Sequence, residues 1–214
     1  TSLASEFKDP ARFIGIHFFS PVDRMMLVEI ILGKQTGNKA LAAALDYVRA
    51  IRKTPIVVND SRGFYTSRVV GTYLREGHLM LTEGVPAAMI GVVGRMAGMP
   101  VGPLSLNDEV AVDLAWKILK ATEADLGPKA IDPRQKKLLA EMVEKRGRFG
   151  RKNGKGFYDY PANGPKKLWP GLVDLQPKML FDPEKINVEE LKLRLLGIQA
   201  LETARCFEEK VLTD

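Results

Sequence analysis

Short apolar runs and one amphipathic segment make up the first part of the chain. Residues 12–19 (RFIGIHFF) and 25–32 (MMLVEIIL) are rich in β-branched and aromatic residues and flank the turn-prone SPVD, so we predict two strands. Residues 38–53 carry apolar positions at helical spacing, with Asn38 as the predicted N-cap. The run PIVVND that follows predicts a further buried strand.

Beyond Asp60 the apolar periodicity is mainly helical. The predicted helices are separated by glycine and proline and cover FYTSRVVGTYLREGHLMLTEGV, PAAMIGVVGRMAG, NDEVAVDLAWKILKATEADLG and PRQKKLLAEMVEKRG. Residues 158–185 are rich in proline and glycine and indicate a connection. A last helix is predicted from Asn187, which stands at capping-box spacing from Glu190.

The last helix repeats the pattern of the first helix of the helical region. Arg68, Glu76 and Glu83 align with Arg194, Glu202 and Glu209. This alignment predicts two copies of one helical unit, the second incomplete, whose helices at 64–84 and 187–211 pack against each other. Chance similarity between amphipathic helices is the alternative. The predicted fold is thus an α/β segment at 1–59, an all-α segment at 60–160, a connection at 161–185 and a partial repeat at 186–214.

Composition places the chain among folded globular proteins, because 45% of its 214 residues are hydrophobic and 27% are charged. Cys206 is the only cysteine, which excludes an intrachain disulfide and argues against a thiolate zinc site. No apolar run approaches the roughly 20 residues of a membrane helix, so no membrane segment is expected. The chain begins at Thr1 and stops inside a predicted helix, so we expect a fragment.

The net charge of +6 is concentrated in one segment. Its basic residues are Arg134, Lys136, Lys137, Lys145, Arg146, Arg148, Arg151, Lys152 and Lys155. Such a cluster favours an anionic partner, either nucleic acid or a phosphorylated small molecule. The nearby aromatic residues are bunched instead of interleaved, which argues against a stacking platform for bases. A solvated basic helix is the other interpretation.

Two residues of the first two strands are candidates for proton transfer. A hairpin centred on Asp23 places His17 opposite Glu29, where an imidazole and a carboxylate can form a hydrogen bond. A carboxylate in this position fixes the histidine tautomer and suits a general base. A buried pair that only satisfies its own polar groups is the other reading of the same spacing. His78, the second histidine, has no partner at metal-ligand spacing and is interpreted as structural.

Four motifs, in order along the chain, resemble the 3-hydroxyacyl-CoA dehydrogenase family. They are RFIGIHFFSPVDRMMLVEII, DSRGFYTSR, GMPVGPLSLND and GRKNGKGFYDY. The similarity is strongest to the dehydrogenase part of multifunctional fatty-acid β-oxidation proteins of the alpha-subunit type. It implies the C-terminal strands and helix of a Rossmann-type NAD-binding domain, followed by a mainly helical C-terminal domain.

The resemblance also implies roles for five residues. His17 matches the family's catalytic histidine, which takes the proton of the substrate 3-hydroxyl as hydride moves to NAD, and Glu29 matches its orienting carboxylate. Ser20 stands where the family often has an asparagine near the cofactor. Ser67 stands where an asparagine is common and would contact the substrate, and Lys152 matches a lysine that contacts the cofactor.

The implied reaction is NAD-dependent oxidation of L-3-hydroxyacyl-CoA, yet the chain has no strand, GxGxxG turn and helix to hold a pyrophosphate. We therefore expect that turn upstream in the intact protein and little activity from the fragment alone. The resemblance to multifunctional proteins also implies an enoyl-CoA hydratase module further upstream. The resemblance also implies a thiolase subunit as partner, no nucleic acid, and a cytoplasmic location in bacteria or a mitochondrial or peroxisomal one in eukaryotes. A non-catalytic helical interaction module of a larger complex is the alternative function.

Overall fold

The computed structural model describes residues 2–177 and 185–212, which form two compact units. The first unit is Thr1–Val70 with Ala200–Asp214, and the second is Gly71–Gln199. The α-helices are α1 Ser2–Ser5, α2 Asn38–Ala50, α3 Thr66–Glu83, α4 Ala87–Met96, α5 Pro103–Val110, α6 Val112–Leu126, α7 Pro133–Ala140 and α8 Val188–Glu208. The strands are β1 Gly15–Phe18, β2 Leu27–Leu32, β3 Thr54–Asn59, β4 Tyr158–Asp159 and β5 Lys167–Leu168.

The first unit is built on a three-stranded sheet in the order β1-β2-β3. Strand β1 is antiparallel to β2, whereas β2 and β3 are parallel and are joined by α2 as a βαβ unit. Inward-facing Val28 and Ile30 of the sheet pack with Ala44 and Val48 of the helix to form the core of this unit. The three predicted strands and the helix between them are therefore confirmed.

The predicted N-cap of α2 is wrong by one position. Gly37 occupies the cap, and Asn38 is the first helical residue and makes no capping bond. The cap position is set by backbone contacts, because the Gly37 amide donates to the carbonyl of Ala11 at 2.8 Å. Thr36 also fixes the approach to the helix, since its hydroxyl accepts from the Gly33 amide and donates to the Phe13 carbonyl.

The second unit is mainly helical, as predicted, but one of the predicted helices is divided into two, α5 and α6. The pattern in residues 107–127 predicts a continuous helix, whereas α5 begins earlier, at Pro103, and ends before Ala111. Ala111 has a φ of 96°, and the next amide, that of Val112, donates to the Phe149 carbonyl at 3.0 Å. A long-range backbone contact therefore breaks the helix at a residue whose side chain gives no sign of it.

Part of the predicted connection after Tyr158 is ordered. Strands β4 and β5 form a short antiparallel hairpin, and a 3₁₀ helix follows at Pro170–Leu175. Residues 178–184 of the same prediction lie outside the described residues. The turn-rich composition identified the absence of long elements and missed the hairpin, whose two-residue strands are too short to show alternation.

The carboxylate of Asp108 organises the loop that contains the GRKNGKGFYDY motif. It accepts hydrogen bonds from the amides of Phe157 and Tyr158, at 2.8 and 2.9 Å, and from the Tyr160 hydroxyl at 3.1 Å. Asp108 is buried, and its desolvation raises the pKa of this carboxyl to about 6. A Cβ on Gly156 would overlap the carboxylate, so only glycine fits beside it.

Gly156→Ala is therefore expected to lower the free energy of unfolding by about 3 kcal/mol or more, because overpacking and disturbed buried hydrogen bonds add. Urea unfolding of the variant measures this loss. Gly71→Ala is the matched control, since a Cβ at Gly71, in the interior of α3, meets no atom within 4 Å. The control should gain up to about 1 kcal/mol from helix propensity. Equal stability of the two variants would contradict the assigned role of Gly156.

The basic segment is extensively paired with acidic residues, several of them distant in sequence. The ion pairs are Arg134 with Glu83 and Asp132, Lys136 with Glu123, Lys145 with Glu141, Arg146 with Asp174, Arg148 with Asp159, Arg151 with Glu109, and Lys152 with Asp113. Most of the charge that suggested an anionic partner is thus balanced within the second unit. The sequence could not show most of these pairs, because acids such as Glu83, Glu109 and Glu123 come from other helices.

The predicted repeat corresponds to a reciprocal set of ion pairs between α3 and α8. Arg68 lies within 2.6 Å of carboxylate oxygens of both Glu202 and Glu209 in the first unit. In the second unit, the aligned Arg194 binds Glu76 at 2.6 Å and Glu83 at 2.8 Å. Aligned positions therefore make the same contacts twice, and the two helices are paired as predicted. That they are copies of one helical unit stays a prediction.

The two ends of α8 are held by different means. At its start, Asn187 Oδ1 accepts from the Glu190 amide at 3.2 Å, which confirms the predicted cap. Near its end, the thiol of Cys206 is buried, and desolvation raises its pKa.

Within the described residues, no helix is long and apolar enough to cross a membrane.

Candidate active site

The register of β1 and β2 places His17 directly opposite Glu29, as the spacing predicts. His17 Nδ1 lies 2.7 Å from Glu29 Oε2, a distance typical of a charge-assisted hydrogen bond. The pair joins two adjacent strands on one face of the sheet, so its geometry is fixed by backbone pairing. The predicted contact is therefore confirmed.

Glu29 is completely buried on an otherwise apolar strand, and both of its carboxylate oxygens have partners. Oε1 accepts from the backbone amides of Tyr65 at 3.2 Å and Thr66 at 2.7 Å, where α3 begins. The positive end of the helix dipole and two otherwise unpaired amides thus face the carboxylate. These contacts supply the compensation that a buried carboxylate requires.

The hydrogen-bond pattern assigns the tautomer of His17. A carboxylate only accepts hydrogen bonds, so the proton of the neutral imidazole lies on Nδ1 and the lone pair lies on Nε2. The side chain of His17 is 31% exposed, in contrast to 0% for Glu29. Nε2 has no hydrogen-bond partner in the described part of the chain. The arrangement therefore presents a basic nitrogen on the open side of a buried, oriented pair.

Two phenylalanines restrict the orientation of the His17 ring. The centroid of Phe19 lies 4.6 Å from that of His17, and the centroid of Phe64 lies at 5.5 Å, both with tilted planes. Phe64 precedes α3 and has a φ of 50°, directly after Gly63 with a φ of 76°. This left-handed turn brings both the Phe64 ring and the following amides to the His17–Glu29 pair.

The other residues with predicted roles lie in different surroundings. Ser20 is exposed after the end of β1, and Ser67 is exposed in the first turn of α3, next to Thr66. Lys152 belongs to the second unit, where its ammonium lies 2.5 Å from Asp113 Oδ1 and 5.7 Å from the ring centroid of Phe149. The structure thus gives Lys152 an intramolecular partner that the resemblance did not indicate.

Sequence reasoning missed the residues that surround the pair. Tyr65 and Thr66 act through backbone amides, which no side-chain pattern reveals, and Phe64 acts from a turn distant in sequence from His17. The signal that could have located them is the glycine of DSRGFYTSR directly before a helix. Such a glycine often marks a positive φ.

His78 is part of a buried polar cluster in the second unit. Its Nε2 lies 2.8 Å from Asn107 Oδ1, its Nδ1 lies 3.2 Å from Gln135 Nε2, and its ring stacks on Phe157. Burial lowers the pKa of His78 to about 4, which keeps the ring neutral near pH 7. Among the described residues, no group of three histidine, cysteine or acidic side chains forms a metal site.

Two sequence families match consecutive parts of the chain. The family described as "3-hydroxyacyl-CoA dehydrogenase, NAD binding domain" matches residues 1–61, and "3-hydroxyacyl-CoA dehydrogenase, C-terminal domain" matches residues 63–160. The chain belongs to the 3-hydroxyacyl-CoA dehydrogenase family. This membership confirms the resemblance drawn from the four motifs. The His17–Glu29 pair lies in the part that matches the NAD-binding domain.

Individual relatives agree with this membership. The alpha subunit of the fatty acid oxidation complex from Vibrio cholerae is 35% identical over 211 residues, which are 98% of this chain and 29% of that subunit. The chain thus spans less than a third of this curated relative. Among solved structures, 3-hydroxybutyryl-CoA dehydrogenase from Escherichia coli K12 is 31% identical with a TM-score of 0.67, over 77% of this chain and 35% of that one.

A further dehydrogenase structure extends the match to the repeat region. The dehydrogenase part of multifunctional enzyme 1 from C. elegans is 26% identical with a TM-score of 0.67, and covers 99% of this chain and 48% of that one. The predicted fold class is confirmed by these dehydrogenases: strands and a helix of a Rossmann-type domain precede a helical domain of the same family.

Proposed function

We propose that the intact protein oxidises L-3-hydroxyacyl-CoA to 3-oxoacyl-CoA with NAD, and that His17 is its general base. The observation that carries this proposal is the buried Glu29 that leaves Nε2 of His17 basic and accessible, within a chain of this dehydrogenase family. The names of the Vibrio and Escherichia relatives support the same substrate class.

In the proposed reaction, Nε2 of His17 accepts the proton of the 3-hydroxyl group. The imidazolium that forms is stabilised by Glu29, whose Oε2 is 2.7 Å from Nδ1 and whose Oε1 is held by two amides. A positioned general base of this kind contributes about 100- to 10,000-fold to the rate. NAD, when bound, supplies the hydride acceptor for the carbon that carries this hydroxyl.

The residues of this chain fit one end of such a cofactor. The accessible Nε2 between Phe19 and Phe64 suits proton transfer beside a nicotinamide, and Ser20, close to His17 in the chain, is the proposed nicotinamide-side contact. The 214-residue sequence contains no GxGxxG motif. We propose that such a turn in the rest of the intact protein binds the pyrophosphate.

Other contacts of the reaction are also proposals. Ser67 is exposed one residue after Thr66, whose amide binds Glu29, and we propose that its hydroxyl contacts the polar group of the substrate. Lys152 is proposed as a cofactor contact. Its ammonium would then bind the cofactor either in place of Asp113 or together with it. The relative's name, a subunit of a fatty acid oxidation complex, supports a place for the intact protein in such a complex. We further propose a hydratase module in the intact protein, a thiolase subunit as its partner and a location in the bacterial cytoplasm.

A hydride-transfer assay on the intact protein tests the proposal. We expect acetoacetyl-CoA to be reduced with consumption of NADH, and L-3-hydroxybutyryl-CoA to reduce NAD in the reverse direction. The D isomer is the matched control and should give no NADH, because a fixed base and hydride acceptor select one configuration. Absence of hydride transfer by folded, NAD-bound protein would favour the non-catalytic helical module.

A further inference from the structure

A left-handed turn immediately precedes α3. Gly63 has a φ of 76° and Phe64 a φ of 50°, so two successive residues occupy the region that side chains disfavour. For Phe64 this conformation costs of the order of a factor of ten in population, and such strain persists only where the surroundings impose it. The Phe64 amide closes the turn onto the Ser61 carbonyl at 3.2 Å.

The turn ends where the contacts to Glu29 begin. The first two amides after it, those of Tyr65 and Thr66, both donate to Oε1 of Glu29. The ring of Phe64 itself lies 5.5 Å from His17, centroid to centroid. Three consecutive residues, Phe64 to Thr66, thus contact the two members of the pair, and the backbone conformation at Gly63 and Phe64 sets the direction of all three contacts.

We infer that the Gly63–Phe64 turn is a positioning element of the active site, which fixes the carboxylate of Glu29 and, through it, the orientation and tautomer of His17. The inference rests on the proposed function. No contact between the turn and the substrate is part of the proposal. It acts by holding Oε1, so that Oε2 alone faces Nδ1 of His17.

The mechanical reason lies in the freedom of a carboxylate about its last bond. Held only by His17, the carboxylate could rotate and exchange its oxygens, and the imidazole would turn with it. Two amide bonds to Oε1 remove this rotation. The tilted Phe64 ring restricts the remaining motion of the imidazole. A displacement of about 1 Å at a catalytic group can cost about 100-fold in rate, so a turn remote from the reacting atoms can govern kcat.

A purely structural role makes a different prediction. If Glu29 served only to accept hydrogen bonds from the amides at the start of α3, disturbing the turn would lower the stability of the protein and leave the pH dependence of catalysis unchanged. If the turn positions the pair, the same disturbance changes the state of His17. Both kcat and the acid limb of the kcat/KM profile, which reports the free enzyme's base, then move.

The test compares Gly63→Ala with Gly98→Ala in the intact protein. Both glycines have positive φ, of 76° and 89°, so alanine is strained at either position. A Cβ at Gly63 meets only the Arg68 side chain and backbone, and one at Gly98 meets nothing within 4 Å. We expect similar losses of thermal midpoint in the two variants. Only Gly63→Ala should lower kcat, by about tenfold or more, with a shifted acid limb and little change in KM.

Gly63→Asn supplies a rescue that keeps the inference testable if the alanine variant fails to fold. Asparagine tolerates the left-handed conformation better than alanine, so it should keep kcat and the acid limb closer to wild type. Wild-type kcat and pH profile in Gly63→Ala, or an equal loss in Gly98→Ala, would overturn the positioning role. That result combined with an inactive His17→Gln would leave the proposed function intact, whereas an active His17→Gln would remove the proposed function itself.

Discussion

His17→Gln in the intact protein is expected to lower kcat by about 100- to 10,000-fold, the span associated with loss of a positioned general base. Glutamine can still donate from its amide to Oε2 of Glu29, and Oε1 keeps its two backbone donors. The fold should therefore survive while the proton acceptor is lost. Steady-state oxidation of L-3-hydroxybutyryl-CoA measures the effect.

Two controls make this result specific. The thermal midpoint of His17→Gln should stay close to that of the wild type, and its affinity for NAD should be retained. Met96→Gln, at an exposed methionine of the second unit, is a surface control that should keep wild-type kcat. Wild-type turnover in a folded His17→Gln would remove His17 from the mechanism.

Glu29→Gln is expected to lower kcat as strongly as His17→Gln, although it replaces only one oxygen by a nitrogen. The amides of Tyr65 and Thr66 require an acceptor, so the glutamine oxygen takes the place of Oε1 and its NH₂ group faces His17. An amide donor opposite Nδ1 demands a lone pair there, and the imidazole proton moves to Nε2. The nitrogen that should accept the substrate proton is then already protonated.

The expected size follows from the same change in a Ser-His-Asp triad, where replacing the orienting carboxylate by its amide lowers kcat by about 10⁴-fold. The measurement is kcat alongside ring-nitrogen NMR shifts of His17, which report the tautomer directly. A loss of only a few fold, with the proton still on Nδ1, would show that the carboxylate does not set the tautomer. Glu29→Gln should also remain folded, because all three hydrogen bonds to residue 29 are preserved in number.

The His17–Glu29 contact was predictable because it depends on short-range rules. Short runs rich in β-branched and aromatic residues identified the two strands, and a hairpin centred on Asp23 set the register. Register alone decides which residues lie opposite each other. A one-residue slip would have moved every side chain of β1 to the other face. The sequence was therefore sufficient to predict both members of the pair and that they lie within hydrogen-bonding distance of each other.

The supports of the site were not predictable on the same basis. The amides of Tyr65 and Thr66 reach Glu29 only because α3 starts beside β2, and that placement comes from packing. The break at Ala111 has the same origin: alanine favours helix, yet its φ is positive at the point where the next amide donates to the Phe149 carbonyl. Local propensity describes single elements, and these features arise where elements meet.

The charges of the basic segment show a third kind of limit. A count of basic residues predicted an anionic partner, but Arg148 is buried against Asp159 and Lys152 is bound to Asp113. Net charge measures a sum over the chain and contains no information on pairing. The same count would have resulted from a solvated basic surface, which is why that interpretation stayed open.

The reactivity of the single buried thiol of the chain can be used to measure the opening of α8. Cys206 is the only cysteine in the sequence and has no exposed surface in the helix. A thiol reagent therefore reacts with this chain at one position only, and only in molecules where the end of α8 has opened or the whole chain has unfolded. The rate of that reaction under native conditions gives the free energy of local opening, with no label or substitution introduced. Comparison of this value with the free energy of global unfolding distinguishes fraying of α8 from unfolding of the whole chain.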